Sequence, residues 1–87
     1  FMNINELIEI VRSKLDAKII IQDIKIEDKS FLHKNHKGHQ EGKFHLKLTV
    51  KSDELVKLSK IESTKKIYGI LSFELKEYIH SIQILLN

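Results

Sequence analysis

With 87 residues, 41% of them hydrophobic and 31% charged, the chain is sized for one small domain. Folding would bury roughly 60–65% of its unfolded surface, and the composition is too apolar for a disordered segment. It holds no cysteine, which excludes disulfides, a thiol nucleophile and a thiolate cage for zinc or iron–sulfur built by this chain alone.

The net charge of +3 suits light contact with nucleic acid or an acidic partner and singles out neither. No apolar run approaches the ~20 residues of a membrane span, and no signal-peptide pattern opens the sequence. A cytoplasmic protein without membrane association is therefore expected, folded as a single domain over residues 1–87.

Asn3 followed by Glu6 reads as a helix start, with the asparagine side chain capping the first turn. Ile4, Leu7, Ile8, Val11 and Leu15 then recur at helical spacing, which predicts an amphipathic helix of about three turns ending near Asp16. Lys18–Glu27 is rich in isoleucine and too short for another such helix, so it predicts a strand with Ile20, Ile24 and Ile26 on one face.

Ser30–His45 carries the chain's chemistry. Four of the five histidines lie here (His33, His36, His39 and His45), among lysines and the turn-forming Gly38 and Gly42. Imidazole ligates metals and changes charge near neutral pH. Phe44, Leu46, Leu48 and Val50 then alternate with His45, Lys47, Thr49 and Lys51, which predicts a second strand with a wet lysine face. A loop rather than a helix joins the two strands, so antiparallel pairing is expected. His45 points away from the core in this pattern, and a structural hydrogen bond or a place on a nucleic-acid or partner surface is its expected role rather than ligation.

Ser52 caps a short turn over Asp53–Leu58, and Ser59 with Glu62 starts a longer helix striped by Ile67, Ile70, Leu71, Leu75 and Tyr78. Gly69 inside that helix costs about 1 kcal/mol against alanine, which predicts close backbone packing there. His80–Leu86 reads as a third strand with His80, Ile82, Ile84 and Leu86 on one face. The order is α-β-β-α-α-β, an α+β fold with one three-stranded sheet and helices on one face. Should the long helix be a crossover, His80 falls at the entrance of the last strand and could face the histidine loop.

Several segments in this order resemble the BolA-like family, small domains with a class II KH-like fold. Asp28-Lys-Ser30 followed by His33 and His36 is similar to the family's acidic residue, serine and histidine-rich loop. Gly42-Lys-Phe-His45-Leu46 resembles its glycine and the His-Phe pair that opens the second strand, and Ser52 with Leu55 its Ser-x-x-Phe, with Leu46 and Leu55 standing where the family has phenylalanine. Tyr68–Leu71, Leu75 and Tyr78-Ile79-His80-Ser81-Ile82 follow its last helix and closing strand. Ser63-Thr64-Lys65 departs from the family's Arg-His-Arg set, though Lys65 and Lys66 keep some charge.

The resemblance implies a non-enzymatic adaptor in iron–sulfur cluster assembly or trafficking, with a monothiol glutaredoxin as partner. The shared [2Fe–2S] cluster would take thiolates from the glutaredoxin and glutathione, and imidazoles from His80 and from His36 or His39. Imidazole in place of thiolate is chemically sound, as in Rieske centres. Alone, the chain would carry no cofactor and exist as a monomer or weak homodimer. The alternative is a KH-like nucleic-acid-binding transcriptional regulator that contacts DNA through Lys43, Lys47, Lys51, Lys65 and Lys66. The turn Lys57-Leu58-Ser59-Lys60 lacks the glycines with which a KH domain grips a backbone. No carboxylate pair, nucleophile–base set or phosphate loop argues for an enzyme.

Overall fold

Asn3 starts the first helix as its side chain requires: Oδ1 accepts from the Glu6 amide at 2.8 Å while Nδ2 donates to Glu6 Oε1 at 2.7 Å. In the computed structural model, which describes residues 2–30 and 43–87, this helix, α1, spans Ile4–Lys18 and buries Leu7, Val11 and Leu15. It runs past the expected end at Asp16, and the Ile19 amide still bonds the Leu15 carbonyl at 2.9 Å.

The first strand, β1, is Asp23–Asp28, shorter than the isoleucine run predicts. The difference is decided by side chains from elsewhere. The Ile20 carbonyl accepts from Ser52 Oγ at 2.8 Å and its amide donates to Glu54 Oε1 at 3.1 Å, so no strand ladder is needed there. Ile19 is buried and Ile20 is 69% exposed, which reverses the expected face.

β2 (Phe44–Lys51) pairs antiparallel with β1, setting Ile24 against Val50 and Ile26 against Leu48. On its other side lies β3 (Ile79–Leu86), parallel, so β2 is the central strand. The helical layer between them comprises α2 (Asp53–Val56), α3 (Lys60–Ile70) and α4 (Ser72–Glu77). Such a parallel return needs a long crossover, which the helices supply. Leu46, Leu48 and Val50 of the sheet meet Leu7, Val11, Leu15, Leu55, Ile67 and Leu71 of the helices in one core.

Two capping serines act as expected. Ser52, fully buried, accepts from the Leu55 amide at 3.1 Å, and Ser59 accepts from the Glu62 amide at 3.1 Å. The single long helix does not survive. Its backbone leaves helical geometry at Leu71 (φ −98°, ψ 17°), and the chain restarts as α4. The packing argument for Gly69 is also overturned: a Cβ placed there would meet nothing within 4 Å.

Candidate functional site

The two polar residues His80 and Ser81 interrupt β3 just where it joins β2. Phe44 pairs with Ile79 and His45 with Ser81, so one extra residue, His80, is accommodated at a bulge. Simple alternation would have put His80 on the core face with Ile82 and Ile84. The bulge removes it from that set and leaves it exposed. The signal was present in the sequence as a change of phase, Ile79 then Ile82, Ile84 and Leu86, three residues and then two.

His45 lies on the sheet face away from the helices, as its alternation predicts, but it is only 6% exposed. Its Nδ1 is 2.6 Å from Ser81 Oγ, and its ring centroid is 5.0 Å from that of His80 at a tilt of 55°. The expected structural hydrogen bond is therefore present. What sequence reasoning missed is that His45 neighbours His80. That follows from the parallel β2–β3 register, which no local pattern encodes.

The ends of the histidine segment are fixed beside this pair. At the exit of β1, the Asp28 carboxylate accepts from the Ser30 amide at 2.9 Å, and Ser30 Oγ accepts from the His45 amide at 3.0 Å. The Lys29 amide donates to the His45 carbonyl at 2.7 Å. At the entrance of β2, the Phe44 amide donates to the Tyr78 carbonyl at 2.8 Å and Lys43 Nζ to the Lys76 carbonyl at 3.3 Å. His36 and His39, the loop residues expected to ligate, lie outside the described residues, as does His33.

A polar hollow of about 390 Å³ opens on the same sheet face, lined by Lys29, His45, Lys47, Ser81 and Gln83 among others. Next to it, hydrogen bonds from Lys25 and then Lys29 hold the Glu27 carboxyl below the usual glutamate range. Among the described residues no group of three or more histidines or carboxylates could hold a metal ion. His80 presents an exposed imidazole beside the buried ring of His45.

The lysines of the nucleic-acid alternative fall into separate groups. Lys47 and Lys51 stand on the outer face of the sheet, whereas Lys65 and Lys66 belong to α3 in the helical layer. Lys66 is paired with Glu54 at 2.6 Å, and Lys43 caps the end of α4.

The sequence pattern of the BolA-like protein family matches residues 15–87. The chain belongs to that family. Among solved structures, the BolA domain of SufE1 from Arabidopsis thaliana is similar at 25% identity and a TM-score of 0.78, covering 100% of this chain and 94% of that one. BolA1 from Arabidopsis thaliana is similar at 22% identity and a TM-score of 0.74, over 91% of this chain and 87% of that one. BolA1 from Mus musculus, at 19% identity and a TM-score of 0.71, covers 88% of this chain and 60% of its own. No curated protein matches by sequence. The α+β architecture of this BolA-like chain, a mixed three-stranded sheet with helices, is thus the fold of its structural relatives. Among the described residues no helix is long and apolar enough to cross a membrane.

Proposed function

We propose that this BolA-like chain is a non-enzymatic adaptor that binds a monothiol glutaredoxin and shares a [2Fe–2S] cluster with it as cargo. His80 supplies one imidazole, and His36 or His39 supplies a second where the complex needs it. The observation that carries this reading is the tethering of both ends of the histidine segment, at Ser30 and Lys43, against the strand entrance where His80 stands exposed. A partner's thiolates complete the coordination that a cysteine-free chain lacks. The buried, Ser81-anchored ring of His45 restricts His80 from one side.

The test is to combine the chain with a monothiol glutaredoxin, iron, sulfide and glutathione and to record visible absorption and circular dichroism. His80→Ala should abolish or shift the bands of the mixed complex, and His36→Ala should perturb them more than His39→Ala. An unchanged spectrum for His80→Ala removes His80 from the cluster. The nucleic-acid reading has no comparable juxtaposition behind it, because its lysines are divided between the sheet face and α3. Duplex binding that weakens steeply with salt would revive it.

A further inference from the structure

Gly69 stands in the last turn of α3, one residue before its end at Ile70. An interior helical glycine costs about 1 kcal/mol relative to alanine, and the usual compensation is a neighbour packed where Cβ would be. Here the space beside Gly69 is open. That space belongs to a groove of about 560 Å³ between the C-terminal half of α1 and α3, with small or apolar walls at Ala17, Gly69 and Ile70. Its charged lining is Lys14, Lys18, Lys65 and Lys66, with no acidic residue.

Lys14 is answered by Glu74 and Lys66 by Glu54, each at 2.6 Å. Among the described residues no carboxylate pairs with Lys18 or Lys65. Helical spacing places Ile61, Lys65, Tyr68 and Gly69 on one face of α3 together with Glu62, whose carboxylate accepts from Ser59 Oγ at 2.9 Å; Ile61 is 69% and Tyr68 42% exposed. This surface therefore combines apolar area, an excess of lysines over carboxylates and a missing side chain that allows another backbone to approach.

We propose that the α1–α3 groove docks an acidic amphipathic helix of a partner protein. The apolar stripe of that helix lies along Ala17, Gly69 and Ile70 and reaches Tyr68 and Ile61, while its flanking carboxylates pair with Lys18 and Lys65. Charge complementarity selects an acidic partner, and the apolar walls select a helix over a nucleic acid. A phosphate backbone would use the lysines but gain nothing from covering Ile61 or from the glycine. The site is remote from the imidazole pair and does not depend on the cluster reading.

Gly69→Leu offers a clean block, since leucine is a better helix former and its side chain grows into the groove rather than into the core. The probe is a fluorescein-labelled peptide of about four helical turns, with leucines at i, i+3, i+4 and i+7 and glutamates beside them, followed by anisotropy. Saturable binding in the micromolar range is expected, with amide shift changes at Ala17, Lys65 and Gly69 in NMR spectra. Gly69→Leu, and separately Lys18→Glu with Lys65→Glu, should weaken binding at least about tenfold, while thermal melts show Gly69→Leu folded and His80→Ala binds like the parent. Absence of saturable binding at several hundred micromolar overturns the proposal. So does binding that ignores both groove variants, or a duplex DNA that occupies the groove lysines in preference to the peptide.

Discussion

Replacing Lys14 by methionine isolates the ion pair that joins α1 to α4. Lys14 Nζ sits 2.6 Å from Glu74 Oε2, and the Glu74 side chain is 4% exposed against 42% for Lys14. The other carboxylate oxygen, Oε1, is buried and has no hydrogen-bond partner among the described residues. Lys14→Met keeps the aliphatic stem beside the Phe73 ring, over which the ammonium lies at 5.8 Å, and strands a carboxylate in the interior. Breaking a fully buried pair costs about 3–5 kcal/mol, and the half-exposed lysine end reduces this to about 2–3 kcal/mol. For a domain of this size that is a fall in melting temperature of roughly 10–20 °C. Glu74→Leu should behave differently. It forfeits the bridge but also removes the stranded oxygen, so it should lie within about 1 kcal/mol of the parent. The double variant should match Glu74→Leu, giving a coupling of about 2 kcal/mol. Urea and thermal unfolding followed by far-UV circular dichroism measure all four corners of the cycle. Equal losses for Lys14→Met and Glu74→Leu, or a loss below about 0.5 kcal/mol for the first, would refute the buried-charge reasoning.

Four further outcomes are expected. Gly69→Ala should raise stability by up to about 1 kcal/mol, visible as a higher melting temperature, because its methyl meets open space; a decrease would place a hidden contact there. Ser52→Ala should cost about 2 kcal/mol in urea unfolding, since it removes a helix cap and orphans the Ile20 carbonyl together. Glu54 is held below the usual glutamate range by the Lys66 ammonium and then by the Ile20 amide. A depressed folded value means its contribution is present above the ordinary value of 4.5 and is lost as pH falls through the lower folded one, so Glu54→Gln should flatten the acid limb of a stability–pH profile. Ser81→Ala should move the imidazole nitrogen resonances of both His45 and His80 without changing far-UV circular dichroism, because it removes the hydroxyl bonded to the ring that lies against His80.

Much of the fold was legible because its signals are local. Asn3, Ser52 and Ser59 cap helices through bonds that span three residues, and the alternation of Phe44–Lys51 needs only period two to set its faces. The errors fall where distant atoms intervene. Ser52 and Glu54 take the backbone of Ile20 out of strand pairing from more than thirty residues away, and the break falls at Leu71, two residues past Gly69, inside an unbroken apolar stripe.

The candidate site divides along the same line. Residue types and their order sufficed to name the family and to dismiss a thiolate site built by this chain alone, because composition and spacing are properties of the chain alone. Only the tertiary structure put His80 on a bulge, closed the parallel register that brings its ring to 5.0 Å from that of His45, and opened a lysine-lined groove beside a glycine with no neighbour at its Cβ position. Those features arise from strands and helices meeting at large sequence separation, where the free energy depends on three-dimensional neighbours that no short window of residues contains.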